Sequence, residues 1–129
     1  MNSQVAINTI ELVAKYFDLD DDLDIKLVVT PKCEEGNAYV VPICPGEYEI
    51  EINPVFLDER TTREVVQLVA HEMVHIKQFE REELDNNIFK GEFHDPDDYW
   101  FSPWEIEARG YEEAFWHLYQ EGKCIQRKK

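Results

Sequence analysis

The stretch that most restricts how this chain can fold is HEMVHIKQ, residues 71 to 78, set inside a longer run with helical period. Thr61 or Thr62 can cap that helix with Glu64 near its N-terminal end, and the pattern carries it to about Glu82. Val65, Leu68, Val69, Glu72, Met73 and Ile76 fall along or near one stripe. His71 and His75 are one turn apart and project the same way, so both imidazoles can reach one ion from one side. Glu72 follows the first histidine, where its carboxylate can reach a water beside that ion without being a ligand. Zinc there would lower the pKa of the water and polarise a carbonyl, while Glu72 would take the proton and pass it to a leaving nitrogen. On this reading the cofactor is one Zn2+ per chain.

The rest of the chain must supply a scaffold and a third ligand. At 129 residues it is expected to form a single domain, 1–129, with one core and one site. Residues 4 to 17 space Val5, Ile7, Ile10, Val13, Ala14 and Phe17 as an amphipathic helix, ended by the acidic run DLDDDLD. IKLVVT (25 to 30), NAYVVPI (37 to 43) and EYEIEI (47 to 52) read as three strands, at least partly antiparallel, separated by turn signals. In the third, Tyr48, Ile50 and Ile52 share one face and three glutamates the other. Residues 85 to 102 lack a period and read as a long loop, and Pro103 opens a last helix with Trp104, Ala108, Tyr111, Phe115 and Leu118 as its stripe. The fold class expected is therefore α+β.

Composition removes several function classes. Net charge is −15, from 28 acidic and 13 basic residues, which disfavours nucleic acid as a partner. The apolar runs are too short to span a bilayer, so a soluble protein without a membrane partner is expected. The first residues, MNSQVAINTIELVAKYF, lack the basic and continuously apolar regions of a signal peptide, which implies a cytoplasmic location. Cys33, Cys44 and Cys124 are odd in number and widely spaced, against a disulfide framework or a thiolate zinc site. A Cys33 to Cys44 bridge across a hairpin is disfavoured for the same reason. Oligomeric state is not legible.

A catalytic zinc site needs a third protein ligand and one open position. His94 lies in the loop, His117 lies far along the last helix, and Glu105 and Glu107 open that helix. The extended pattern H-E-x-x-H-x-x-G-x-x-H is absent, because Gln78 and Arg81 stand where its glycine and third histidine would be. A deformylase-like cysteine motif is absent as well. Glu105 and Glu107 are about 200° apart around a helix, so only one can face the metal.

Two histidines on one helix and a glutamate on a later one resemble the gluzincin metallopeptidases, the class that includes thermolysin. HEMVHIKQ at 71 to 78 and YWFSPWEIEARGYE at 99 to 112 are most similar to the small single-domain minigluzincins with a PWExEA-like segment. The resemblance implies a minimal zincin fold: N-terminal helix, three-stranded sheet, active-site helix, long loop and glutamate helix. It implies a zinc metallopeptidase acting on peptides or proteins, with His71, His75 and Glu105 as ligands and Glu72 as the base. Glu105 is preferred because it stands three before Ala108; Glu107 is the alternate third ligand, because it directly precedes an alanine as the thermolysin ligand does. The family often has an acid or amide four after its ligand, whereas Arg109 or Tyr111 stands there, so support for the histidines is expected from elsewhere. Gln78 reads as a solvated side chain. Tyr99, or His94, in the loop can donate to the oxyanion, and the strand 47 to 52 is expected to offer its edge to an extended peptide. Members of the group can be latent. The competing class is a non-catalytic module, with zinc as a structural clamp or with the acidic surface binding a basic partner.

Overall fold

The computed structural model describes residues 2–33, 38–85, 88–93 and 101–128. In chain order its elements are α1 (Ser3–Tyr16), β1 (Asp24–Val29), β2 (Ala38–Cys44), β3 (Glu47–Ile52), α2 (Pro54–Glu59) and α3 (Thr62–Glu80). Three two-residue strands follow, β4 (Leu84–Asp85), β5 (Ile88–Phe89) and β6 (Glu92–Phe93), and then α4 (Pro103–Lys128). This is the α+β layout expected from the periods: a helix, a small sheet, a long helix and a C-terminal helix.

The sheet has the order β1-β3-β2, with β3 parallel to β1 and antiparallel to β2. Gly46, at φ +81°, makes the tight return from β2 into β3, a conformation that costs a glycine nothing. β3 carries the alternation read from EYEIEI: Tyr48, Ile50 and Ile52 are buried and the glutamates between them are half-buried. It occupies the centre, paired on both sides. The expectation that 47 to 52 is a free edge is therefore wrong; the edges are β1 and β2, since both flanks of β3 are already hydrogen-bonded.

The buried face of the sheet meets α1 and α3 in one core containing Val13, Phe17, Ile50, Ile52, Val69 and Met73. On α1 the expected stripe faces inward at Val5, Ile10, Val13, Ala14 and Phe17, and Ile7 alone departs from it. Ala6 and Thr9 are fully buried while Ile7 is 40% exposed, and the Thr9 hydroxyl is satisfied by donating to the Val5 carbonyl at 2.8 Å. Helix α3 starts with a full capping box: Thr61 accepts from the Glu64 backbone N–H, and Glu64 accepts from the Thr61 backbone N–H. It packs against α1, α4 and the sheet, which buries Val66, Ala70 and Val74 in addition to the expected stripe. Such a helix has little solvent-facing surface in its second half, so its polar residues there need partners.

Four elements were not expected, one helix and three short strands. Asn53 caps α2 by accepting from the Val55 N–H at 2.8 Å with Pro54 in the first turn, and the helix buries Phe56 and Leu57. Asn-Pro is a helix-start signal that the sequence does contain. Within the stretch read as loop, β4, β5 and β6 form an antiparallel meander, turning at Lys90 and Gly91 with positive φ. Pieces of two residues are too short for any period to register. No helix among the described residues is long and apolar enough to cross a membrane.

Candidate metal centre

His71 and His75 lie on the side of α3 that faces the first turns of α4. The two imidazoles stand edge to face with ring centroids 5.0 Å apart. One oxygen of Glu105 is 2.7 Å from Nε2 of His75 and the other 3.2 Å from Nε2 of His71. The longer is close to the roughly 3.3 Å between neighbouring ligands on a tetrahedral zinc ion with bonds of about 2.0–2.1 Å, and the shorter is the length of a charge-assisted hydrogen bond. Three donors of the type zinc accepts thus converge: two ring nitrogens and a carboxylate with 4% side-chain exposure.

The outward nitrogens are as well defined as the inward ones. Nδ1 of His71 lies 2.8 Å from Oε2 of Glu112, and Nδ1 of His75 lies 2.9 Å from Oε1 of Gln78. A carboxylate and an amide oxygen only accept, so each would take the Nδ1–H while an ion held Nε2; without the ion Glu105 is a second acceptor, and both nitrogens of each ring are met. The donor set and the acceptors behind it both fit a divalent ion.

Glu72 is buried and borders the same cleft. Ligating atoms of His71, Glu72 and His75 lie within 4.8 Å of one another. Burial pushes the Glu72 carboxyl up to about 7; His75 and His71 oppose the shift, and the charges of Glu105 and Glu112 add to it. Burial works against the His71 cation, but hydrogen bonds to Glu105 and Glu112 and the charge of Glu72 outweigh it, pushing the ring up to about 10. His75 is raised too: burial opposes, while Glu105, Gln78 and Glu72 prevail. Glu105, although burial disfavours its charge, is held well below the ordinary carboxylate range by the two imidazoles.

The centre opens into a cleft of about 890 Å³. Ala38, Tyr39 and Val40 of the edge strand β2 form part of its lining, with Phe56 and Leu68 adding apolar surface and Arg109 reaching it from α4. The strand edge at this cleft is that of β2, in place of the expected β3.

Glu107, the alternate third ligand, does not join the centre. It pairs with Lys77 at 2.7 Å and accepts from Gln78 Nε2 at 3.1 Å. His117 is exposed and pairs with Glu113 at 3.2 Å on its own helix. Tyr99 and His94, the expected oxyanion donors, lie outside the described residues. Gln78 is the main correction: it is fully buried and bonded to His75, because α4 covers the end of α3 where solvent was expected. Glu112 is the other residue sequence reasoning missed. Both carried a signal: Gln78 is three residues after His75 on the same helix face, and Glu112 is seven after Glu105, on the face of α4 that meets His71. Compared with protein-family models, curated proteins and solved structures, the chain matches none.

Proposed function

We propose that the protein is a zinc-dependent metallopeptidase. The observation that carries this reading is the convergence of both histidine Nε2 atoms on Glu105, with each Nδ1 engaged by an acceptor and a buried Glu72 beside them at an open cleft. His71 and His75, through Nε2, and Glu105, through its carboxylate, would hold the ion. Zinc, when bound, acidifies a water towards neutrality and polarises the substrate carbonyl. Glu72 would accept the proton of the attacking water and deliver it to the departing amine. An extended peptide can add to the edge of β2 with its main chain, while Ala38, Val40, Phe56 and Leu68 give the cleft an apolar wall. We assign the protein to the cytoplasm on the free thiols of Cys33 and Cys44, which fit a reducing compartment.

The test is hydrolysis of a mixture of unstructured peptides by the zinc-loaded protein, read by mass spectrometry, beside the same protein with chelator and the Glu72→Gln variant. Cleavage by the wild type, lost with chelator and reduced about 10²–10⁴-fold in Glu72→Gln with zinc retained, supports the reading. Equal cleavage by wild type and variant refutes the role of Glu72. A wild type that binds zinc but cleaves nothing is sorted by its fourth coordination position: closed, the ion is a structural clamp; open, the enzyme is latent.

A further inference from the structure

The sheet has a second open edge, that of β1, opposite the β2 edge that lines the metal cleft. The Asp24 N–H donates to the Gly46 carbonyl at 2.9 Å and the Thr30 N–H to the Ile52 carbonyl at 3.0 Å, so Asp24, Lys26 and Val28 turn their backbone groups towards β3. Backbone groups alternate sides along a strand, which directs the N–H and C=O of Ile25, Leu27 and Val29 to the open flank. Among the described residues no backbone group bonds to them there.

Between α1 and this edge lies a pocket of about 450 Å³. Its floor is apolar: Ile10, Ala14, Leu19, Leu23 and Ile25 pack against the core yet remain partly exposed. Its rim is acidic, with the exposed carboxylates of Glu11, Asp18, Asp20 and Asp21 against one lining cation, Lys15.

Carboxylates beside an edge strand can serve to keep other chains from pairing with it. Charge alone is enough for that, whereas here an apolar floor lies open beneath the charge. A strand added to β1 would send every second side chain towards that floor, on the face shared by Ile25 and Leu27. A second copy of this chain is a poor occupant, because its own β1 would bring the same carboxylates to the contact. We propose that the β1 edge and the pocket under α1 form a docking surface for an extended, basic segment of a partner protein, with apolar residues at alternate positions and lysine or arginine between them. Main-chain hydrogen bonds to Ile25, Leu27 and Val29 hold the segment, the floor takes its apolar side chains, and the rim selects its charge. The surface is separate from the metal centre and does not depend on the metallopeptidase reading.

The test uses the full chain as the Glu72→Gln variant, so that the probe survives. The probe is a peptide alternating valine and lysine, blocked at both ends and as long as β1. One control peptide has the same composition with its valines and lysines in two blocks, and another is the alternating peptide N-methylated at every second residue. Affinity is read by fluorescence anisotropy and amide hydrogen exchange by NMR. The alternating peptide is expected to bind about 10-fold or more tighter than either control and to slow exchange at Ile25, Leu27 and Val29. Replacing three rim charges together, Asp18→Asn, Asp20→Asn and Asp21→Asn, is expected to weaken it about 10-fold. Asparagine keeps the side-chain oxygen of residue 20 that accepts from the Asp22 N–H at 2.9 Å, so the turn is preserved. The triple change Asp58→Asn, Glu59→Gln and Glu121→Gln, at exposed sites elsewhere, removes the same charge and is expected to alter affinity by less than about 2-fold. No binding, equal binding of the alternating and block peptides, equal weakening by the two triple changes, or slowed exchange confined to β2 would each overturn the proposal. The exchange pattern of the parent chain decides it if the rim variant does not fold.

Discussion

At the scale of single residues, Glu72 and His71 carry the most testable consequences. Glu72 is raised from 4.5 to about 7, so ionising it opposes folding. A raised folded value means that this group's stabilising contribution is complete below pH 4.5 and is lost as pH rises to about 7. Metal-free Glu72→Gln is therefore expected to be more stable than metal-free wild type above neutrality, by about 2–3 kcal/mol, and to converge with it in acid. Urea titrations at several pH values read this directly; a variant less stable than wild type at alkaline pH would contradict it. For His71, raised from 6.5 to about 10, the sign works through competition. Metal and proton seek the same nitrogen, so apparent zinc affinity rises with pH through the neutral range and levels off near 10. The same shift makes the metal-free fold lose His71's contribution as pH rises from 6.5 towards 10. Zinc competition titrations across pH check the first statement, and a pH-independent affinity would remove His71 from the centre.

At the scale of elements, much of the fold was legible because its longer pieces have clear periods. The helices at 4 to 17 and 61 to 82, the three strands and the helix from Pro103 each hide one face. The capping box of α3 was readable as Thr-x-x-Glu, and it supplies a prediction: Thr61→Ala removes the side-chain acceptor for the Glu64 N–H and costs about 1 kcal/mol in chemical denaturation. Zinc stoichiometry is expected to stay unchanged, because the cap lies two to three turns from His71; loss of metal in this variant would mean that the start of the helix positions the site. What escaped was local or tertiary in origin. The central place of β3 depends on which strand has both edges paired, and alternation along one strand says nothing about its neighbours. Likewise the support for the histidines comes from opposite ends of the α3 to α4 contact, Gln78 within α3 and Glu112 on α4. The HExxH spacing was visible in one line of sequence, whereas the placement of Glu105 beside the histidines and of Glu107 away from them needed the helices to be docked. Once they are docked, Lys77 draws Glu107 aside.

At the scale of the whole molecule, the dominant fact is a net charge of −15 on 129 residues. Like charges held in a compact shape repel, so added salt is expected to raise the thermal midpoint of the metal-free protein between low and physiological ionic strength. A midpoint that falls with salt would indicate that local pairs such as Lys77 with Glu107 outweigh the overall repulsion. Around this acidic shell the fold brings three donors from two helices to one point, and the account stands on that point binding metal. The measurement that tests it most directly is zinc content per chain for wild type, His71→Ala, Glu105→Ala and Glu107→Ala after equilibration with zinc and removal of excess. One zinc is expected in wild type, none or nearly none in His71→Ala and Glu105→Ala, and zinc retained in Glu107→Ala. Zinc absent from folded wild type, or retained in Glu105→Ala and lost in Glu107→Ala, would contradict it.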